Sequence, residues 1–140
     1  MEGGGMIEAY ILTHGELGEA LLASAEMIVG KMEDVHVLGF YPGDSISLYR
    51  QKVEQHIQSH SGEALFIFTD IFGGSCANTV MRFLDRDSVY AFAGVNLPML
   101  IAFYSAKFTL KPEAIRDMIG KEGVRSVIDM KREWQERKEE

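Results

Sequence analysis

The chain has 140 residues, 46% hydrophobic and 25% charged, and its 14 Lys and Arg stand against 21 Asp and Glu for a net charge of -7. That length favours one domain with a core large enough to need no metal or disulfide, and the composition excludes wholesale disorder and collagen-like repetition. A single cysteine, Cys76, excludes an intrachain disulfide and any site of several thiolates, the acidic balance argues against a nucleic-acid partner, and no apolar stretch nears the ~20 residues of a membrane span.

The first residues carry no basic segment leading into an apolar one, so no signal peptide is read and a cytoplasmic setting is expected. Gly3, Gly4 and Gly5 are set aside from the fold. Ile7 to Leu12 reads as a buried strand. Leu17, Leu21, Ala25 and Ile28 then form the apolar stripe of a helix that Gly30 ends. Val35, Val37, Leu38 and Phe40 suggest a second strand. Pro42-Gly43-Asp44-Ser45 is a turn, with Asp44 or Ser45 capping a helix whose face is Ile46, Tyr49, Val53 and Ile57. Ala64 to Phe68, apolar on both faces, reads as a central parallel strand. Gly73-Gly74 turns into a helix carrying Ala77, Val80, Met81 and Leu84. Val89 to Ala93 is a fourth strand. Asn96 caps the next helix, with Pro98 in its first turn. Pro112 starts another, ended by Gly120 or Gly123. Val124 to Met130 reads as a short final strand, and residues 131–140 as a charged tail with alternating signs. Strand and helix alternate, so the expected fold is α/β: an open, doubly wound, mostly parallel sheet with helices on both faces, formed by one domain over residues 6–130.

In such a sheet, ligands bind beyond the carboxyl ends of the strands, near the point where strand order reverses. The segments there are Thr13-His14-Gly15-Glu16, Thr69-Asp70-Ile71-Phe72-Gly73-Gly74-Ser75 and Gly94-Val95-Asn96-Leu97-Pro98. If the first and third strands are neighbours, about 4.8 Å apart, His14 and Asp70 project from adjacent ends. The carboxylate then holds one ring nitrogen and leaves the other unprotonated and nucleophilic. Backbone N–H groups of Gly73, Gly74 and Ser75 could cradle an anion. A nucleophilic imidazole facing an anion cradle suits a phosphoryl group held on histidine. Thr13 and Thr69 are supporting residues at the strand ends. Phe72, Asn96, Leu97, Pro98 and Met99 offer an apolar rim for protein docking, although Leu97 and Met99 also fit a helix core.

Neither a dinucleotide fingerprint nor a Walker A motif is present, so no cofactor is assigned and the phosphoryl group must arrive on another molecule. Cys76 follows the glycine turn, where helix amides would lower a thiol pKa, but alone it reads as a packed side chain. His36 lies within a strand, and His56 and His60 read as solvated helix surface. No metal ligands are assigned.

These residues resemble the IIA component of the mannose-type sugar phosphotransferase system. The matching blocks are Thr13-His14-Gly15; Ala20, Leu21, Ala25, Glu26, Met27 and Gly30; Gly39-Phe40-x-Pro42-Gly43-Asp44-Ser45; Thr69 to Ser75; and Gly94 to Met99. They run in order over residues 7 to 128. The resemblance implies a phosphohistidine at His14, supported by Asp70, with the Gly73-Gly74-Ser75 loop receiving the phosphoryl oxygens. It implies phospho-HPr as donor and a separate IIB protein as acceptor, with membrane IIC and IID components only indirectly involved. It also implies a homodimer in which a C-terminal strand, here Val124 to Asp129, crosses to the partner. Cys76-Ala77 departs from the proline usual after the Gly-Gly-Ser block. Two other roles are compatible: a phosphorylation-dependent regulatory interaction module, and a phosphoryl donor to a dihydroxyacetone kinase.

Overall fold

Every residue of Ala64–Thr69 is buried, which is the environment its unbroken apolar run demands. It is the third strand of a chain whose computed structural model describes residues 6–139; the glycines at 3–5 lie outside the described residues. The elements are β1 (Ile7–Leu12), α1 (Leu17–Val29), β2 (Val35–Val37), α2 (Ile46–Ser59), β3 (Ala64–Thr69), α3 (Ser75–Met81), β4 (Val89–Ala93), α4 (Leu97–Ala106), α5 (Pro112–Arg125) and α6 (Met130–Glu139). The strand order is β2-β1-β3-β4, and every pairing is parallel. β1 and β3 pair from Ile7 opposite Ala64 to Leu12 opposite Thr69. The chain leaves β1 toward one side and returns on the other, so order reverses between these two strands, as the doubly wound reading requires. Among the described residues, no helix is long and apolar enough to cross a membrane.

Alternation along the strands builds two cores. Ile7, Ala9, Ile11, Phe66 and Phe68 face α1, α4 and α5, where Leu100, Phe103, Ile115 and Ile119 meet them. Tyr10, Leu12, Leu65 and Ile67 face α2 and α3 through Tyr49, Val53, Ile57, Cys76 and Val80. Each fully buried Leu, Ile or Phe contributes about 1.5–3 kcal/mol. Phe103 is the hub of the first core, with ring centroids 5.3 Å from Phe66 and 5.7 Å from Phe68.

Several boundaries differ from expectation for local reasons. α1 buries Gly18 and Ala25, with Leu21 and Leu22 packed beside them, while Leu17 and Ile28 are exposed. A Cβ on Gly18 would lie 2.9 Å from Thr13 Oγ1 and 3.0 Å from Val37 Cγ1. The helix backbone presses on the sheet there, and that contact turns the stripe. β2 is short, but Leu38 N–H donates to Ile11 O and Phe40 N–H to Thr13 O, both at 2.9 Å, so pairing carries on past it. α3 stops at Met81, before Leu84. α5 runs through Gly120 and Gly123 to Arg125. Gly123 is a packing position, since a Cβ would fall 2.7 Å from Met99 Cγ.

The expected final strand does not form in this chain. Val124 belongs to α5, whose end is tied locally: Ser126 N–H donates to Glu122 O at 3.1 Å and Ser126 Oγ to Gly123 O at 2.9 Å. Asp129 then starts α6, its Oδ1 accepting from Arg132 N–H at 3.1 Å. The segment read as a charged tail is therefore helical through Glu139, with an Arg137–Glu133 pair one turn apart and no buried residue.

Candidate active site

β1 ends at Leu12 and β3 at Thr69, directly opposite each other. Two further residues of chain carry His14 to the loop, where it forms a parallel bridge with Phe40. Gly15, at φ +60°, turns the chain away into α1. Its N–H donates to Phe40 O at 2.8 Å, so the histidine backbone is pinned on both sides. Thr13 is buried, and its Oγ1 accepts from Gly18 N–H at 2.7 Å, coupling the strand end to the first turn of α1. The result is a histidine held rigidly in backbone with its ring open to solvent.

Asp70 closes the pair from β3. Its Oδ2 lies 2.8 Å from His14 Nδ1 and also accepts the His14 backbone N–H at 2.8 Å. Its Oδ1 accepts from Ile71 N–H at 3.0 Å. The His14 side chain is 47% exposed and that of Asp70 13%. Burial works against ionisation of Asp70, but the hydrogen bonds from the His14 backbone and ring, with the charge on that ring, outweigh it. The carboxyl is held below its ordinary range. An ionised Asp70 at neutral pH fixes the Nδ1–H tautomer and leaves Nε2 with a free lone pair.

The glycine loop lies against the imidazole. Gly73 has φ +92°, and a Cβ on Gly74 would lie 3.2 Å from His14 Cε1 and 3.1 Å from Ile71 Cγ2. Ser75 opens α3, with Gly74 as its N-cap. Phe72 and Ile71 are exposed beside it. Cys76 follows, fully buried; the Tyr49 hydroxyl donates to Leu38 O at 2.7 Å and its oxygen lies 3.7 Å from Cys76 Sγ. Burial pushes the thiol pKa up, contrary to the lowering expected from helix amides. His14, Asp70 and Cys76 each bring a ligand-type atom to within 4.8 Å of the others.

The β4 loop contributes less than expected. Asn96 caps α4, accepting from Met99 N–H at 3.0 Å and donating to Gly123 O at 3.2 Å. Met99 is buried, packed on Gly123, and does not form part of a docking rim. Leu97 packs on the core and Pro98 stays exposed. Thr69 is buried, and no partner of its Oγ1 is present among the described residues. The remaining histidines gather beside α2: His60 Nδ1 lies 2.7 Å and His36 Nε2 3.5 Å from Glu8, and His56 Nδ1 lies 3.2 Å from Tyr10 O–H. The His60 side chain is buried rather than solvated as expected.

The sequence reading passed over the wall of the site that β2 provides. Phe40, Tyr41, Pro42, Gly43 and Asp44 line an open cleft of about 480 Å³ beside His14. The Phe40 ring meets the imidazole edge-on, centroids 6.2 Å apart. The signal was available, because this turn also follows the carboxyl end of a strand next to β1.

A family model described as EIIA-man, PTS system fructose IIA component, matches residues 9–120. The fructose-specific EIIA component of Bacillus subtilis (strain 168) is 32% identical over 117 residues, covering 81% of this chain and 77% of that protein. The mannose-specific EIIAB component of Escherichia coli (strain K12) is 32% identical over 103 residues, covering 72% of this chain; the chain spans only 32% of that longer protein. The crystal structure of the PTS IIA protein associated with the fucose utilization operon from Streptococcus pneumoniae superposes with a TM-score of 0.82 at 26% identity, covering 91% of this chain and 96% of that one. With a match across most of its length in sequence and in fold, the chain belongs to the EIIA-man family of phosphotransferase-system IIA components.

Proposed function

We propose that this protein is a phosphoryl carrier that takes a phosphoryl group from phospho-HPr onto His14 and passes it to a IIB component for sugar uptake. The observation that carries this reading is the His14–Asp70 pair at the reversal point of the sheet, with one ring nitrogen occupied and the ring half exposed. His14 Nε2 attacks phosphorus in line as the nitrogen–phosphorus bond of the donor phosphohistidine breaks. Nδ1–H stays bonded to Asp70, whose charge stabilises the ring as it becomes cationic. His14 is the catalytic residue, and Asp70 positions it. Backbone N–H groups of Gly73, Gly74 and Ser75 receive the phosphoryl oxygens. Catalysis is chiefly positioning, since the group moves between similar nitrogen atoms. Exposed Phe72, Ile71 and Pro98 give the two partners apolar contact around an open site. The relay runs in the cytoplasm, with membrane IIC and IID met only through IIB. Exposed Val124, Val127, Ile128, Met130 and Trp134 supply apolar surface for a homodimer.

The test is intact-mass spectrometry at neutral or alkaline pH after incubation with phosphoenolpyruvate, enzyme I and HPr. One phosphoryl group should appear on the native protein and none on His14→Ala. A folded native protein left unmodified by demonstrably charged HPr would overturn the proposal. Phosphoryl passage to a dihydroxyacetone kinase but to no IIB would replace the acceptor.

A further inference from the structure

Spacing along the chain names no metal site, yet the fold brings an imidazole, a carboxylate and a thiol together at the carboxyl ends of the strands. His14 comes from β1, Asp70 from β3 and Cys76 from the first turn of α3. Their ligand-type atoms lie within 4.8 Å of one another, with the His14 Nδ1–Asp70 Oδ2 edge at 2.8 Å. In a tetrahedral zinc site with nitrogen and oxygen at about 2.0–2.2 Å and sulfur at about 2.3 Å, ligand atoms stand roughly 3.3–3.7 Å apart. The first edge is shorter than that figure and the thiol edges are at most 4.8 Å, so opening the first by about half an ångström or more and closing the thiol by at most about an ångström assembles the set. The half-exposed ring of His14 is the way in, because it is the only one of the three side chains open to solvent: Asp70 is largely buried and Cys76 fully so.

We propose that His14, Asp70 and Cys76 form a binding site for a thiophilic divalent cation of the zinc class, and that the bound ion and a phosphoryl group on His14 exclude each other. The thiol sets the metal class: a sulfur–imidazole–carboxylate set selects zinc or cobalt over magnesium and calcium. Three protein ligands leave a fourth position for water. The exclusion follows from the imidazole. A metal on Nδ1 takes the lone pair where the proton sat, and that proton moves to Nε2. The thiol proton goes to solvent and the thiolate joins the metal. Nε2 then carries a hydrogen in place of the lone pair that must attack phosphorus. Asp70 trades its hydrogen bond from Nδ1 for the metal, so the ring also loses its positioning contact. The site stands on its own geometry; the exclusion rests on the carrier reading.

Cobalt(II) is the probe for the site. Titrating the full chain should give one-to-one binding with a near-ultraviolet thiolate-to-cobalt band, and zinc should displace it. Cys76→Ser should abolish the band and weaken zinc at least as much as the about 10–100-fold that losing a mere supporting partner costs a metal site. His14→Ala, at an exposed position where folding is not at risk, should weaken zinc similarly. A native protein without the band, or a band that persists in Cys76→Ser, overturns the site. For the exclusion, stoichiometric zinc should block phosphoryl uptake from phospho-HPr by the native protein and spare Cys76→Ser, which keeps its uptake without metal. Equal uptake with and without zinc overturns the exclusion. A native protein never phosphorylated even without metal refutes the carrier reading, while the cobalt band still decides the site.

Discussion

At His14 one carboxylate oxygen meets two N–H groups of the same residue, from backbone and ring. That double contact fixes side chain and main chain together, and the charge matters as much as the geometry. Asp70→Asn keeps an acceptor of the same shape but loses the charge. A hydrogen bond to a charged group is worth about 1.5–3 kcal/mol, so phosphoryl uptake from phospho-HPr should slow about 10- to 150-fold while the circular dichroism spectrum is unchanged. The acid limb of stability should change too. The Asp70 carboxyl sits below its ordinary value in the folded chain. Its stabilisation is full above the unfolded value of about 3.9 and is lost as pH falls through the lower folded value. The gap in urea midpoint between native protein and Asp70→Asn should therefore be widest near neutrality and close below about pH 4. Gly74→Ala probes the loop. Its methyl would crowd His14 Cε1 and Ile71 Cγ2 at 3.2 and 3.1 Å, so transfer should fall with little change in melting temperature. These residues were legible because each sits just past a strand in a parallel sheet. The nearness of Cys76 was legible from its place after the glycine turn, but its burial beside Tyr49 was not, since that depends on how α3 packs.

α4 and α5 meet at a contact that only glycine permits. A Cβ on Gly123 would lie 2.7 Å from Met99 Cγ and 2.9 Å from its Sδ. Gly123→Ala should destabilise the protein by about 1–3 kcal/mol, the usual cost of overpacking, measured by urea denaturation. Pairing it with Met99→Ala should recover part of that loss, a coupling a double-mutant cycle would detect. The same residue shows why sequence reading misplaced the end of α5. Glycine marks a helix stop or a close approach with the same letter, and only the neighbouring helix distinguishes them. The segment from Val124 to Met130 was ambiguous for a related reason. Its apolar residues fit a strand if an edge receives them, but the carbonyls of Glu122, Gly123 and Val124 already hold the chain locally. Strands β1, β3 and β4 carried less ambiguity, because each is a short, mostly apolar run of five or six residues that suits a parallel strand buried on both faces.

For the molecule as a whole, α6 and the turn before it are the part least explained by the core. Val127 is 82% exposed and Trp134 58%. If a homodimer forms through this surface, the emission of the single tryptophan should shift to the blue as concentration rises, in step with sedimentation. A solvent-like emission at all concentrations with a monomer in the centrifuge would leave the segment solvated. The parallel β2-β1-β3-β4 order has a consequence for the time course of folding. The strand made first lies in the middle, and neither of its neighbours is reached by a local hairpin. His14 and Asp70 are 56 residues apart along the chain. During synthesis β1 must stay unpaired on one edge until β3 has emerged, and such late, distant pairings are slow. The His14–Asp70 pair therefore cannot assemble until β3 has emerged, and a nascent copy halted before it holds the histidine without its carboxylate partner.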